Sequence, residues 1–340
     1  MVKKIISSVT VFSMVIALLV IAPIVSASAK TYGTWDDLKS GYRYTYLDED
    51  YKTFRVDGFI DINKLPNKQH PAIMEIPKEI DGAVPVAIKA LAFVNVTSRE
   101  VIFPKTITTI GQNAFTGSGL ASVEIPATVK TVENYAFSKC QNLISATISS
   151  KVENVGNNLF ENCQFLRTLT FEEGTTAISP SIAKDCNRLE TVNFPETVKT
   201  IGFNAFMNCQ KIKEIYIPKT VETIGIQAFG YISAGNKMSD FTIKAEKNTT
   251  AQEYAVANDI TFKELKRYLY GDVLNDGKIN IIDILMLSQY KAYQIDFNEI
   301  QKKCADVSAD GKVSLVDIST LQKFTSTQLA EFPSGKSFLQ

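Results

Sequence analysis

The chain has 340 residues, 45% of them hydrophobic, and its 36 basic residues balance 36 acidic ones to a formal net charge of zero. That length allows one or two sizeable cores, and the neutral charge excludes a single-sign field that would attract nucleic acid or an anionic membrane. His70 is the one histidine, so most histidine-based metal sites and any Ser/His/Asp array built elsewhere are excluded. The polar turn around it, "NKQHPAIM" (67–74), indicates a solvated loop histidine, and no catalytic residue is assigned.

The N-terminal segment 1–29 has the pattern of an export signal. Lys3 and Lys4 form a basic start, an uncharged apolar stretch covers 9–25, and small residues at 27–29 match a signal-peptidase site. We expect cleavage after Ala29; the alternative is an uncleaved membrane anchor, since the apolar stretch is nearly long enough to span a bilayer. Cleavage would give a secreted, extracellular protein without a membrane span.

Residues 30–71 are predicted to form an N-terminal cap. Polar and apolar residues alternate through 42–62 on either side of "DED", which is typical of a β-hairpin. Such a hairpin would cover the first unit of the repeat array that follows, because terminal repeats need a polar cap.

The middle of the chain, 72–265, repeats itself. Four of the five cysteines recur at a constant step of 23 (163 − 140), and phenylalanines keep the same phase. A period this short and regular predicts a solenoid whose coils each bury an apolar face against the next. The segment 241–265 contains a strand, a short helix from about Thr250 and a last strand, and is predicted to close the solenoid. The in-phase residues are Cys140, Cys163, Cys186 and Cys209, with Phe93, Phe115, Phe137, Phe160, Phe206 and Phe229.

The repeating unit reads L-x-x-V-x-I-P, then V-x-x-I-G, then an A-F-x-x-C turn. It resembles the BspA-like leucine-rich repeat over about residues 72–262. The resemblance implies a mainly β solenoid of short-strand leucine-rich repeats with a period of about 23 per coil. Within "VEIP" (123–126), the alternation of a strand points Val123 and Ile125 inward. In one unit "SIA" (181–183) replaces "NAF", and we expect Ile182 to fill the place of the missing phenylalanine.

The cysteine ladder allows two interpretations. An even set of cysteines in an exported protein commonly indicates disulfides or a metal site. Here each cysteine has the same phase in consecutive coils, so we favour unbridged side chains that pack as small buried hydrophobes.

The outward strand positions form a mixed, mostly polar ladder. A plain solvated face is a simpler interpretation than a specific site, and Tyr216 is its single aromatic residue, where a carbohydrate platform usually needs several. The predicted ladder comprises Glu75, Ile102, Glu124, Thr147, Thr170, Asn193, Tyr216 and Thr242.

Two acid-rich stretches follow the repeats, and they are copies of each other. "GDVLNDGKINIID" (271–283) recurs at a step of 34 (306 − 272) as "ADVSADGKVSLVD" (305–317). Carboxylates crowded around a central glycine are what a hard cation such as Ca²⁺ requires, because it takes many oxygen ligands. The sequence therefore predicts two Ca²⁺ sites, the first one weaker because Leu274 occupies its third loop position. The predicted ligands are Asp272, Asp276, Lys278, Asn280 and Asp283 in the first loop and Asp306, Ser308, Asp310, Lys312, Ser314 and Asp317 in the second, with the two lysines contributing backbone carbonyls.

Each loop leads into an apolar helical pattern that also repeats at a step of 34 (318 − 284). This duplicated loop–helix unit resembles a type I dockerin over about 271–330, which places a dockerin domain at 266–331 and a tail at 332–340. The resemblance implies two bound Ca²⁺ ions and docking on a cohesin domain of a cellulosome-type scaffoldin. It also implies that the cohesin contacts are Ile281, Ile282, Ser288 and Gln289, with Leu315, Val316, Gln322 and Lys323. The aliphatic pair in each half predicts apolar anchors at the centre of that interface.

Together these features favour a non-catalytic secreted binding protein. The dockerin would attach it to a cellulosome-like scaffold in a polysaccharide-degrading context, while the solenoid presents a surface to a ligand that the sequence does not identify. Two alternatives stay open: an accessory carbohydrate-binding adhesin and a polysaccharide-degrading enzyme. The enzyme is the less favoured, because coils occupy 72–262 and leave no long insertion for a cleft between two carboxylates.

Overall fold

The structure is a computed structural model that describes residues 34–37, 39–61, 64–65, 69–326 and 337–339. The predicted export signal at 1–29 lies outside these residues. None of the helices in the described part of the chain combines the length and apolar character needed to cross a bilayer.

The N-terminal part is a three-stranded antiparallel sheet that leads into the solenoid. Its strands are β1 (Thr34–Asp37), β2 (Tyr42–Tyr46) and β3 (Thr53–Phe59), paired in that order. Aromatic side chains dominate its inner face: Tyr42, Tyr44 and Phe54 are all buried. β3 then pairs in parallel with the first strand of one solenoid sheet, so the hairpin and the coils share one continuous core. The limits of the cap remain a prediction.

Most coils of the solenoid contribute one strand to the outward ladder and one short strand to a second set, which is divided between two sheets. The ladder strands are β4 (Ile73–Glu75), β6 (Glu100–Ile102), β8 (Ser122–Ile125), β10 (Ser145–Ile148), β12 (Thr168–Phe171), β14 (Thr191–Asn193), β16 (Glu214–Tyr216), β20 (Thr242–Ala245) and β21 (Thr261–Glu264). The second set is β5 (Val84–Ile88), β7 (Thr109–Ile110), β9 (Thr131–Val132), β11 (Asn154–Val155), β13 (Ala177–Ile178), β15 (Thr200–Ile201) and β17 (Thr223–Ile224). Ser145 pairs with Thr168, a step of 23 (168 − 145), and the pairing is parallel. The predicted β solenoid of about 23 residues per coil is confirmed.

The solenoid closes as predicted, with one added hairpin. β18 (Tyr231–Ser233) and β19 (Asn236–Lys237) form the hairpin, and helix α1 (Thr250–Ala257) covers the last coils before β21. Tyr254 of α1 is buried, and its hydroxyl lies 3.1 Å from both the backbone nitrogen and the carbonyl oxygen of Phe229.

Phenylalanine rings stack along the interior of the solenoid. Centroid distances are 5.3 Å between Phe93 and Phe115, 5.1 Å between Phe115 and Phe137, and 5.9 Å between Phe137 and Phe160. The column is interrupted at the irregular unit, where Ile182 and Ala183 are both fully buried.

A second aromatic residue spans part of that interruption. The ring of Phe194 lies 5.8 Å from the rings of Phe171 and of Phe206, and Phe206 then stacks on Phe229 at 5.3 Å. The aromatic packing of the last coils therefore depends on Phe194, which directly follows β14, in addition to the predicted in-phase phenylalanines.

The four in-phase cysteines are buried and unbridged, and each donates to a carbonyl of the preceding coil, Cys140 to Phe115 at 3.2 Å. The thiols of Cys163, Cys186 and Cys209 each donate a hydrogen bond of 3.1 Å to the carbonyl of the residue 26 positions earlier. Burial raises the pKa of each of these thiols. The cysteines therefore satisfy buried carbonyls as well as filling space, because a thiol is a weak donor that an alkyl side chain cannot replace.

One position of the predicted outward ladder is wrong. Tyr216 pairs with Lys244, and Thr242 pairs with Glu214. The long connection through β18 and β19 changes the step from 23 to 28 (244 − 216), which shifts the position by two along the strand. Lys244 therefore replaces Thr242 beside Tyr216.

The C-terminal part has its own small core. Its elements are β22 (Arg267–Leu269), α2 (Ile281–Lys291), α3 (Glu299–Ala305), α4 (Leu315–Thr325) and β23 (Ser337–Leu339). Ile284, Leu287 and Leu321 pack together between α2 and α4, and Tyr290 stacks on Phe297 at 4.4 Å. β23 lies in the segment that the sequence assigns to a tail, and it pairs antiparallel with β22.

Candidate metal centres

Both acid-rich loops adopt the same backbone path. Gly277 and Gly311 have φ of 82° and 80°, which is the left-handed region that glycine enters without a steric penalty. A Cβ at either position would meet nothing within 4 Å, so backbone conformation and not space requires glycine there. α2 and α4 follow the two loops directly.

The last carboxylate of each loop ties the loop start to the helix. Asp283 accepts hydrogen bonds from the backbone N–H groups of Val273 (2.9 Å) and Asn280 (2.9 Å). Asp317 accepts bonds from Ser308 N (3.0 Å) and Ser314 N (2.7 Å). The first-loop counterpart of the Ser308 bond is a third bond to Asp283, from Leu274 N at 3.2 Å. Both carboxylates are almost fully buried. These bonds tie the start of each loop to the helix that follows it.

The predicted ninth-position ligands also cap helices. The Asn280 side chain accepts from Ile282 N at 2.8 Å and begins α2, and the Ser314 hydroxyl accepts from Val316 N at 3.1 Å and begins α4. Together with Asp283 and Asp317 they form two capping boxes. Sequence reasoning missed this role, although a capping residue followed three positions later by an acid is a known start signal for a helix.

The second loop brings three carboxylates together. Asp306, Asp310 and Asp317 each offer an oxygen, and these oxygens all lie within 4.8 Å of one another. The hydroxyl of Ser308 is buried in the same loop and has no hydrogen-bond partner. A buried hydroxyl without a protein partner is free to contact a water or an ion. The carboxylate trio is an all-oxygen donor set, which fits Ca²⁺, and the Ser308 hydroxyl is a further oxygen in the same loop.

The first loop is similar but less complete. Asp272 is 2% exposed and accepts from Asp276 N and Gly277 N at 3.0 and 2.8 Å. Leu274, at the position equivalent to Ser308, offers no oxygen and is 40% exposed. Within the part of the chain that the structure describes, Asp272, Asp276 and Asp283 do not come together as closely as the second-loop trio. Burial raises the pKa of Asp283, and the nearby charge of Asp272 adds to that rise.

The two lysines of the predicted sites follow the same pattern in both loops. Lys278 N donates to Asp276 at 2.9 Å, and Lys312 N donates to Asp310 at 2.8 Å. These bonds orient the fifth-position carboxylates. The role of the lysine carbonyls as ligands stays a prediction.

The predicted partner residues lie at the helix starts and along α2 and α4. Ile281 is 68% exposed, and Leu315 is 71% exposed. Each has a neighbouring exposed aliphatic residue, Ile282 or Val316, and Leu285 extends the first pair by one turn. Leu285 was not predicted. Farther along, Gln322 and Lys323 are exposed, whereas Ser288 and Gln289 are half-buried.

Family models match both parts of the chain. A model described as BspA type leucine rich repeat region matches residues 86–212 and 176–284 in six copies. A model described as Dockerin type I domain matches residues 270–324. Type I dockerin domains typically bind calcium and dock on cohesins, and both families are typically non-catalytic.

Several solved structures are similar to the solenoid. A leucine rich cell surface protein from Faecalibacterium prausnitzii is 26% identical, with 63% of this chain covering 54% of that chain at a TM-score of 0.48. A leucine-rich repeat protein from Bacteroides ovatus is 20% identical, and the match covers 57% of this chain and 54% of that chain at a TM-score of 0.45. A leucine-rich repeat protein from Eubacterium ventriosum is 23% identical, and the match covers 56% of this chain and 49% of that chain at a TM-score of 0.45. The present chain thus spans about half the length of these relatives. No curated protein matches it.

Proposed function

The chain belongs to the BspA-type leucine-rich repeat family and carries a type I dockerin domain, and from this we propose that it is a secreted, non-catalytic binding protein of a cellulosome-type assembly. The dockerin, at about 266–331, docks on a cohesin domain of a scaffoldin. The solenoid, at about 72–265, presents its outward surface to a ligand near the scaffold. The export pattern at 1–29 supports the extracellular location.

The observation that carries the proposal is the second loop. Its carboxylate trio and the orphaned Ser308 hydroxyl supply the oxygen donors for one Ca²⁺. In the proposed sites Asp306, Asp310 and Asp317 hold the ion in the second loop, and Asp272, Asp276 and Asp283 hold it in the first. A bound cation cancels the repulsion between these carboxylates, which stabilises the loops and therefore the helices that they cap.

The aliphatic pairs beside the loops are proposed as the cohesin contact. Ile281 and Ile282 at the start of α2, with Leu315 and Val316 at the start of α4, are exposed although they are large and apolar. Clustered exposed aliphatic side chains next to polar loops are typical of a protein interface. Because each pair directly follows a proposed ligand, Asn280 or Ser314, the geometry of the contact depends on the loaded loop.

The test is binding of the full chain to a panel of type I cohesins, with Ca²⁺ and then with a chelator. We expect binding in Ca²⁺ that the chelator abolishes. The double variant Ile281→Asp/Leu315→Asp should weaken binding more than tenfold, since a central anchor contributes about 2 kcal/mol or more.

The matched control is Ile226→Asp, because Ile226 is a comparably exposed aliphatic residue on the solenoid, at 78%. This variant should bind as the wild type does. Absence of binding to every cohesin, or binding that persists in the chelator, would contradict the proposed function.

A further inference from the structure

The chain passes from the solenoid to the C-terminal domain with almost no linker. Leu265 N donates to the carbonyl of Ala245 at 2.8 Å, so Leu265 is still part of the last coil. Lys266 alone separates it from β22, and the first acidic loop begins at Asp272. A connection this short limits how far the two parts can separate.

Arg267, the first residue of β22, binds the solenoid with its guanidinium group. Its Nε donates to Glu246 Oε1 at 2.8 Å. Its Nη2 lies 3.3 and 3.4 Å from the two carboxylate oxygens of Glu196 and 3.4 Å from the hydroxyl of Tyr216. A planar guanidinium group that contacts several acceptors at once fixes the relative orientation of the groups it joins and also neutralises their charge.

The solenoid side of this contact is assembled from three coils. Glu196 follows β14, Tyr216 ends β16 and Glu246 follows β20. The Tyr216 hydroxyl donates to Glu196 at 2.7 Å, and burial together with this bond raises the pKa of Tyr216. The side chains of Arg267 and Glu246 are only 20% and 19% exposed, so water screens their ion pair less than a fully exposed one.

The same arginine is joined to the rest of the C-terminal domain. Its Nη1 donates to Ser337 Oγ on β23 at 3.1 Å. β23 pairs with β22, and Tyr268 stacks on Phe338 at 5.6 Å. Gly271 N donates to the carbonyl of Cys304 on α3 at 2.8 Å. Arg267 therefore lies at a junction that is tied to the domain on one side and to the solenoid on the other.

We propose that Arg267, held by Glu196, Glu246 and Tyr216, locks the C-terminal domain in one orientation against the outward ladder of the solenoid. The surface around Tyr216 is then an internal interface of this chain and not a free ligand site. A partner that binds the outward ladder must then use coils farther toward the N-terminus. This inference is independent of whether a cohesin binds, since it concerns contacts within one chain.

The test is a distance measurement by double electron–electron resonance on the full chain in Ca²⁺, with spin labels on Asn142→Cys and Ser319→Cys. Both positions are exposed, one on the solenoid and one on α4. The native cysteines are all buried. A labelling reaction on the chain without the two introduced cysteines measures how much spin label the native cysteines take up. We expect one narrow distance distribution in the parent and a distribution at least twice as wide in Arg267→Ala.

Two further variants distinguish loss of the Arg267 contacts from general destabilisation of the solenoid. Glu196→Gln keeps the size of the side chain and removes half of the charge pairing, so it should also widen the distribution while leaving the thermal unfolding of the solenoid unchanged. Lys213→Ala removes an ion pair of 2.6 Å with Asp240 that lies within the solenoid, and it should keep the narrow distribution. A parent distribution that is already broad, or one that Arg267→Ala leaves unchanged, would overturn the proposal.

Discussion

At the scale of single residues, the cysteines and phenylalanines that recur in the solenoid have different roles in its core. The ladder cysteines donate to carbonyls of the preceding coils, and the in-phase phenylalanines fill the interior between them. Buried polar groups are costly when they lack a partner. A cysteine at this position donates to such a carbonyl and also fills space in the apolar core. The sequence predicts the burial of these residues from their period. It does not predict the hydrogen bonds, because the distance between coils is set by the backbone.

The contrast between Phe206 and Phe203 tests the inside–outside assignment. Phe206 is 2% exposed and stacks on Phe229, whereas Phe203, three positions earlier, is 54% exposed. We expect Phe206→Ala to lower the free energy of unfolding by about 3–5 kcal/mol, because it leaves a cavity in the core. Phe203→Ala should change it by about 0.5 kcal/mol or less. Urea unfolding of both variants measures the difference, and equal losses would show that the assignment is wrong.

At the scale of elements, the two loop–helix units are nearly symmetric in backbone and unequal in donors. Ser308 supplies an oxygen where the first loop has Leu274, and the difference follows from one residue in each copy. The order of the elements in this part could be read only partly from the sequence. The loops and the helices after them were predicted from their duplication.

Three further features were not predicted, for different physical reasons. α3 is only seven residues long, too short for a periodic apolar pattern, although its capping pair Asn298 and Gln301 could have indicated a start. β23 depends on pairing with β22, which lies far earlier in the chain, and local sequence cannot reveal such a pairing. The shift from Thr242 to Lys244 in the ladder results from the inserted hairpin β18–β19.

Ser308→Ala tests the donor set of the second loop. The hydroxyl is buried without a hydrogen-bond partner, so its removal should leave the metal-free domain as stable as before or slightly more stable. The same change should weaken Ca²⁺ binding at that site about tenfold, which corresponds to about 1.4 kcal/mol. Thermal unfolding in a chelator and a Ca²⁺ titration measure the two effects.

Ser319→Ala is the matched control for that variant, because Ser319 is an exposed serine on α4. It should alter neither quantity. If Ser308→Ala destabilises the metal-free domain and leaves Ca²⁺ affinity intact, the hydroxyl has a structural role and is not a ligand.

At the scale of the whole molecule, two parts with different sources of stability are joined in one chain. The solenoid rests on a continuous apolar core of coils, and we expect it to fold without metal. The C-terminal domain has a much smaller core, and small domains commonly need metals or other cross-links to be stable. Ca²⁺ at a hundred times its dissociation constant would add about 2.7 kcal/mol per site, so chelation should unfold or loosen the C-terminal domain and leave the solenoid folded.

The most direct test of the central claim is calorimetric titration of the full chain with Ca²⁺, as wild type, Asp283→Ala and Asp317→Ala. Two sites of unequal affinity are expected. Asp317→Ala should remove the tighter one, because the second loop has the more complete donor set, and Asp283→Ala should remove the weaker one. Two sites of equal affinity would contradict the assigned difference between the loops. No Ca²⁺ binding at all would contradict the account of the C-terminal domain as a calcium-dependent docking module.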